Sequence, residues 1–114
     1  MKQIKAFVQS DKLKAVVKAI ENKDVGGVSV IPVRGRGKAD RPTVAGQRGT
    51  SRHVAEYNSL DAVLVVVPDS QVGMVEDAII EAASTRSKGD GKIFVSSVDL
   101  AIDIGSKTSG DAAL

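Results

Sequence analysis

Apolar and polar residues follow two different periods along this chain, and the periods predict strands and helices in a definite order. Residues 4–9 have the apolar density of a short buried strand. From residue 13 to residue 20, apolar positions recur every three or four residues, which is typical of one face of an amphipathic helix. Ser10 or Asp11 could cap this helix, because a short side-chain oxygen there accepts from the first free amides.

The second part of the pattern predicts three more strands and one more helix. Residues 28–33 form a strand whose Pro32 lacks an amide donor, so we expect it at a sheet edge. Residues 62–67 are apolar without alternation, which favours a central strand buried on both faces. A single apolar stripe from 72 to 83 predicts a helix, and residues 92–98 predict the fourth strand.

The resulting order of strand, helix, strand, strand, helix, strand is that of an α+β, ferredoxin-like βαββαβ sandwich. Two helices cover only one face of such a sheet, while Val, Ile and Phe remain on the other. We therefore expect an oligomer that buries the open face. Residues 101–104 suggest a short fifth strand, and the small polar tail of residues 105–114 suggests a flexible end or one ordered by binding.

Composition narrows the class of protein. The chain has 114 residues, 42% apolar and 26% charged, which fits one globular domain over residues 1–114. With no Cys and one His, a disulfide scaffold, a Cys-based zinc site and a multi-histidine site within one subunit are excluded, so no metal is expected. No apolar run approaches the roughly 20 residues that span a bilayer, and no secretory signal is visible, so we expect a cytoplasmic location.

Positive charge is concentrated in one segment. Six cations and one acid lie between Arg34 and Arg52, so this window carries +5 whereas the whole chain carries +2. The same part of the chain, residues 35–59, has no helical or strand period and four glycines. Loops longer than about 12–15 residues are uncommon in compact domains and are usually functional or mobile. We therefore expect a local anion-seeking surface here.

Residues 85–94 carry the sharpest local motif. Gly89 and Gly91 let backbone amides turn toward an anion, and Lys92 adds a positive charge beside them. A Walker A loop is excluded, because that pattern needs Gly where Arg86 stands and Ser or Thr where Ile93 stands. Taken alone, Gly-Asp-Gly-Lys is also an ordinary turn, in which Asp90 could stabilise the backbone instead of touching a ligand.

Five ordered segments of the chain resemble the PII signal-transduction family of small nucleotide sensors, nearly end to end. The start of the chain resembles the family's first strand and helix, and residues 27–30 with 34–38 resemble its second strand entering the long T-loop. Gly89-Asp90-Gly91-Lys92-Ile93-Phe94 resembles its B-loop. Residues 110–114, Gly-Asp-Ala-Ala-Leu, resemble its terminal signature.

The resemblance implies a homotrimer that binds an adenine nucleotide in each of three clefts between subunits. The T-loop, about residues 36–58, would then dock on a protein target such as a transporter or an enzyme. No catalytic residue is implied, and a membrane would be reached only through a target. The implied nucleotide-binding residues are Ser29, Gly35, Arg36, Gly37, Lys38, Gly89, Asp90, Gly91 and Lys92. The implied partner-binding residues of the loop are Arg41, Arg48 and Arg52.

Several positions depart from the pattern of the family. Ala39 stands where many members have a Gln that helps to bind magnesium and 2-oxoglutarate, and Leu60 replaces a Lys, so a 2-oxoglutarate site looks lost. Asp103 and Gly105 replace two Arg that grip the polyphosphate, which should weaken ATP most. We therefore expect ADP or AMP to be favoured over ATP. His53 stands where enteric members have a modified Tyr.

These departures suggest a PII-like variant, associated with inorganic-carbon handling or carboxysomes and using bicarbonate as a co-effector. An alternative is a nitrogen-regulatory protein that senses ATP, ADP and 2-oxoglutarate. An alternative of another class is a nucleic-acid-binding ferredoxin-like module that uses the basic loop, although one Tyr, two Phe and no Trp leave little for base stacking. An enzyme has no support, because no nucleophile–base pair or carboxylate pair is visible.

Overall fold

A computed structural model describes residues 1–37, 43–45, 52–54 and 56–114 of the chain. Its helices are α1 (Leu13–Glu21) and α2 (Val72–Ala83). Its strands are β1 (Lys2–Gln9), β2 (Val28–Gly35), β3 (Thr43–Ala45), β4 (Arg52–Val54), β5 (Asn58–Val67) and β6 (Gly91–Ser97).

Four strands form one antiparallel sheet in the order β2-β5-β1-β6. This order confirms the ferredoxin-like α+β fold, because each strand–helix–strand unit is split by a strand of the other unit. Strand β5 pairs with β1 on one side and β2 on the other, so its predicted central place is confirmed. Pro32 lies on β2 at the sheet edge, as its missing amide donor requires.

The core lies between the sheet and the two helices. Alternate residues of β1, from Ile4 to Val8, face the helices and are buried, and the odd positions of β5 from 61 to 67 do the same. Val16 and Ile20 of α1 are fully buried against them, as are Val75 and Ile79 of α2. The three- and four-residue spacing therefore marks the buried helix faces.

The opposite face of the sheet carries apolar side chains, and among the described residues no helix covers it. Phe7 on β1 and Phe94 on β6 make an edge-to-face contact there, with ring centroids 5.9 Å apart. Phe94 is 55% exposed and Ile31 on β2 is 52% exposed. We refer to this surface as the open face. Its position agrees with the expectation that helices cover only one side of the sheet.

The start of α1 differs from the prediction. Ser10–Lys12 forms a 3₁₀ turn and α1 begins at Leu13, with no side-chain hydrogen bond at its N-terminus. The hydroxyl oxygen of Ser10 lies 3.1 Å from that of Ser59 at the start of β5, so it is engaged across the sheet end rather than in a cap. The predicted cap is therefore wrong.

The predicted fifth strand is also wrong. Residues 101–110 form a hairpin-like turn with one isolated bridge between Ile102 and Ser109. The backbone amide of Asp103 donates to the carbonyl of Thr108 and that of Gly110 to the carbonyl of Ala101, at 2.8 and 2.9 Å. The tail then forms a 3₁₀ turn over Gly110–Ala113. These hydrogen bonds give the tail local structure of its own, and whether binding orders it further stays a prediction.

The long segment without a period contains ordered structure at both ends and within it. Strand β2 runs on to Gly35 and β5 begins at Asn58, directly opposite each other. Within the segment, β3 and β4 pair as a small antiparallel hairpin. The sequence pattern did not reveal these two strands, because three-residue strands are too short to show a period of two.

Candidate functional site

A cleft of about 550 Å³ lies on the open face, at the edge where β1 and β2 end and where β5 and β6 begin. The antiparallel order brings these four strand ends together, although they are far apart in sequence. The residues that line the cleft are Phe7, Gln9, Gly35, Arg36, Gly37, Asn58, Leu60, Lys88, Gly89, Gly91, Lys92 and Phe94. The basic segment and the Gly-rich motif therefore meet in one place.

The structure brings together six of the predicted nucleotide-binding residues. They are Gly35, Arg36, Gly37, Gly89, Gly91 and Lys92. Ser29 is not among the lining residues, since it lies on β2 opposite Leu64, six residues before Gly35. Asp90 does not line this cleft either.

The predicted residues Lys38, Arg41 and Arg48 lie outside the described part of the chain, as does Ala39. Arg52 is the first residue of β4. Nothing in the described residues therefore tests the predicted partner-binding role of these cations.

Gly91 is required by a close backbone approach at the start of β6. Its φ is +118°, and a Cβ placed on it would lie 1.8 Å from the carbonyl oxygen of Phe7. The neighbour of Gly35 is a flexible side chain, since a Cβ on Gly35 would lie 2.4 Å from Cδ1 of Leu60. Leu60 therefore fills the space beside Gly35, and the position where the family was expected to have a Lys is apolar in the cleft wall.

Asp90 organises the connection between α2 and β6. Its carboxylate accepts from the backbone amide of Thr85 at 2.6 Å and from that of Ser87 at 3.2 Å, and the hydroxyls of both residues donate to it as well. The Thr85 hydroxyl and amide are the main causes that lower the pKa of Asp90 to about 2. Of its two sequence-based interpretations, the geometry favours the turn-stabilising one over direct ligand contact.

Gln9 joins β1 to the Gly-rich motif, because its side-chain amide donates to the carbonyl of Gly89. Sequence reasoning did not identify Gln9, nor Phe7, Asn58, Lys88 and Phe94, as cleft residues. The signal that could have found them is the strand order. In a ferredoxin-like sheet the end of the first strand lies beside the start of the last, so Gln9 falls next to the Gly-x-Gly turn.

Cations dominate the polar character of the described cleft lining. Arg36, Lys88 and Lys92 carry positive charge, and none of the lining residues is acidic. The guanidinium carbons of Arg34 and Arg36 lie 5.4 and 5.8 Å from the centre of the Tyr57 ring. An anion of moderate size, held by amides at one end and by cations around it, fits this arrangement.

Asp103 lies in a separate turn, and its carboxylate accepts hydrogen bonds from another residue of that turn. Its carboxylate accepts from the amide and hydroxyl of Ser106, both at 2.8 Å. These two hydrogen bonds, the amide first, lower the pKa of Asp103. Lys107 in the same turn has a left-handed φ of 63°. Of the two positions where Arg was expected by resemblance, Asp103 thus carries a carboxylate that is bonded to Ser106, and Gly105 carries no side chain.

Within the described residues, no group of three or more His, Cys, Asp or Glu side chains is arranged to hold a metal ion. Among the described helices, none is long and apolar enough to cross a membrane.

Comparisons of the sequence with known proteins identify one family. The family model described as "Nitrogen regulatory protein P-II" matches residues 1–107. The chain belongs to the P-II family. The resemblance to this family that the T-loop and B-loop segments suggested is therefore confirmed.

Several curated P-II proteins are similar over nearly their whole length. One from Rhodobacter capsulatus is 36% identical over 114 residues, covering 100% of both chains. One from Nostoc punctiforme is 41% identical over 104 residues, covering 91% of each chain. "Nitrogen regulatory protein P-II 2" of Methanothermobacter thermautotrophicus is 35% identical over 114 residues, covering 100% of this chain and 97% of the other. The chain therefore belongs to a family of regulatory proteins.

Proposed function

We propose that this chain is a non-enzymatic P-II-type sensor that binds an adenine nucleotide in the cleft and signals through its T-loop to a protein target. The observation that carries the proposal is that Gly35–Gly37, at the base of the T-loop, line the same cleft as Gly89, Gly91 and Lys92. A ligand bound between them contacts both segments. Its presence and size can therefore set the path of the loop that leaves the cleft at Gly37.

The phosphates would lie at the end of the cleft formed by the Gly-x-Gly turn. Lys92 and Lys88 supply charge there, and Gly89 and Gly91 allow the backbone to come close to the ligand. Arg36 would bind from the opposite wall, where its planar guanidinium suits phosphate oxygens. Asp90 would act indirectly, by holding the connection from Thr85 to Ser87 in shape.

We propose that ADP or AMP is favoured over ATP. Each additional phosphate needs charge-assisted donors, and the turn of residues 101–110 offers Asp103 where the resemblance implied an Arg. A carboxylate near a polyphosphate is unfavourable because like charges repel. Lys107 is the basic residue of that turn.

A homotrimer would explain both the open face and the position of Ser29. Phe94 and Ile31 are each more than half exposed on that face, as expected for side chains that another copy covers. Ser29 precedes Gly35 by six residues on one strand, about 20 Å at 3.3 Å per residue. Ser29 would therefore contribute to the cleft of a neighbouring subunit rather than to its own.

The proposal has two versions, which differ in the small effector that binds together with the nucleotide. Leu60 gives the cleft wall an apolar side chain, which supports the loss of a 2-oxoglutarate site and leaves bicarbonate, with a role in inorganic-carbon metabolism, as the proposed co-effector. The relatives are named nitrogen regulatory proteins, which favours the second version, a nitrogen-regulatory protein. In that version the small effector would be 2-oxoglutarate. In both versions the protein acts in the cytoplasm, without nucleic acid, and reaches a membrane only through its target.

Isothermal titration calorimetry with ATP, ADP and AMP tests the proposal, each alone, with bicarbonate and with 2-oxoglutarate. We expect ADP or AMP to bind more tightly than ATP, bicarbonate to strengthen binding, and 2-oxoglutarate to have no effect. ATP binding coupled to 2-oxoglutarate would establish the nitrogen-type version instead. The absence of binding by all three nucleotides would refute a nucleotide sensor, and salt-dependent RNA binding would then support the nucleic-acid alternative.

A further inference from the structure

We infer that Tyr57 is a positioning residue for the cleft, which holds the guanidinium of Arg36 at the cleft rim through a cation–π contact. The inference rests on the proposed function, because its consequence is measured on the binding of a nucleotide phosphate. Arg36 lines the cleft, whereas Tyr57 does not. Tyr57 therefore contacts Arg36 without contacting the space that the ligand would fill.

The register of the sheet produces this contact. The last paired residues of β2 and β5 are Gly35 and Asn58. One residue beyond this pair, Arg36 and Tyr57 face each other across the two strands as they leave the sheet. Cross-strand neighbours of this kind are within reach of each other when one is aromatic and the other is long.

The distances place both Arg34 and Arg36 in cation–π contact with the Tyr57 ring. The guanidinium carbon of Arg36 lies 5.8 Å from the Tyr57 ring centre, and that of Arg34 lies 5.4 Å from it. Both fall within the roughly 6 Å over which a cation is attracted to a ring face. The negative ring face also offsets the repulsion between two positive groups that are only two residues apart.

The geometry of a guanidinium explains why such a contact assists binding. The group packs on a ring through its flat face, while its N–H donors point outward in its own plane. A stacked Arg36 therefore keeps its donors available for phosphate oxygens. Because the ring already restricts the side chain, less rotamer freedom is lost when a ligand arrives. Tyr57 is 39% exposed, so a contact of the strength found at exposed sites is expected.

The test compares ADP binding to the full chain and four variants by calorimetry. Tyr57→Phe keeps the ring face, so we expect its Kd to remain within about twofold of the original. Tyr57→Leu keeps apolar bulk without the ring face, and we expect a Kd about two- to fivefold weaker. Because Arg36 is the group being positioned, Arg36→Ala and the double variant Arg36→Ala/Tyr57→Leu should bind equally weakly.

A second readout does not depend on nucleotide. The side-chain protons of Arg36 should show an upfield ring-current shift in NMR spectra of the free protein. This shift should persist in Tyr57→Phe and disappear in Tyr57→Leu, with an unchanged melting temperature showing that the fold is intact. If the original chain binds ADP while Tyr57→Leu binds equally well, or if the two substitutions act additively, the inference is wrong and the proposed function stands. If the original chain binds no nucleotide, the proposed function itself fails.

Discussion

Gly91 and Phe7 approach each other so closely that no side chain fits between them. A Cβ on Gly91 would lie 1.8 Å from the Phe7 carbonyl oxygen, and the φ of +118° is strained for any other residue. Moving this oxygen would disturb the pairing of β1 with β6. We expect Gly91→Ala to lower the free energy of unfolding by about 3 kcal/mol or more, measured by urea denaturation.

The matched control for this substitution is Gly73→Ala. Gly73 lies in α2, and a Cβ there meets nothing within 4 Å. Alanine at a compatible helical position raises stability by about 0.4–1 kcal/mol. Equal effects of the two substitutions would contradict the close approach at Gly91.

A side chain at Gly35 should cost less stability than one at Gly91, because the atom in its way is the flexible end of the Leu60 side chain. A Cβ on Gly35 would lie 2.4 Å from Cδ1 of Leu60, so Leu60 must adopt another rotamer. We expect Gly35→Ala to cost about 1 kcal/mol of stability and to weaken nucleotide binding by reshaping the cleft. Calorimetry and urea denaturation measure the two effects.

A second substitution separates the two causes. Leu60→Ala removes the obstructing methyl group, so the double variant Gly35→Ala/Leu60→Ala should bind nucleotide more tightly than Gly35→Ala alone. The idea fails if the double variant binds no better, since Gly35 would then be needed for its backbone rather than for its space.

We expect acid to destabilise the connection between α2 and β6, because the ionised carboxylate of Asp90 holds it together. Its pKa is lowered in the folded protein from the 3.8 that is usual for an Asp carboxyl to about 2, chiefly by the hydroxyl and amide of Thr85. A lowered pKa adds stability that is fully present above pH 3.8 and is lost as the pH falls toward 2. NMR titration of the Asp90 carboxyl carbon should therefore show an inflection at about pH 2.

Substitution of Asp90 tests its structural role directly. Asp90→Asn removes the charge and one acceptor, so we expect faster hydrogen exchange of the Thr85 and Ser87 amides and weaker nucleotide binding. Asp103→Asn is the control for hydrogen exchange only, because Asp103 makes similar hydrogen bonds to Ser106 in another turn. Unchanged exchange at Thr85 in the Asp90 variant would show that the carboxylate does not order the loop.

Ile31 and Ile80 test whether the open face is an interface between copies of this chain. They are 52% and 54% exposed, but Ile31 lies on the open face and Ile80 on α2 in the helix layer. If the open face is buried in a trimer, Ile31→Ser loses about 1.5–3 kcal/mol of burial per copy. We expect light scattering to show dissociation for Ile31→Ser and none for Ile80→Ser. Equal behaviour of both variants would exclude the open face as the interface.

Local patterns were sufficient for the two helices, the four strands of the main sheet and the Gly-rich motif, but not for the short strands β3 and β4. The stripe from 72 to 83 and the unbroken apolar run from 62 to 67 identified α2 and a central strand, because burial leaves a periodic trace in the sequence. Pro32 indicated an edge strand for an equally local reason. The helix cap at Ser10 failed because its hydroxyl is engaged with Ser59, 49 residues away.

The sequence by itself therefore determined the order of the two helices and the four strands of the main sheet, and with it the ferredoxin-like class, and it singled out Arg36, Gly91 and Lys92 as candidate anion-binding residues. Only the tertiary structure decided that these residues share one cleft with Gln9 and Phe94, and that Asp90 turns its carboxylate into its own loop. It also decided that Tyr57 faces Arg36. The physical reason is that periodicity and turn chemistry act within a few residues, whereas the pairing of distant strands sets which side chains meet.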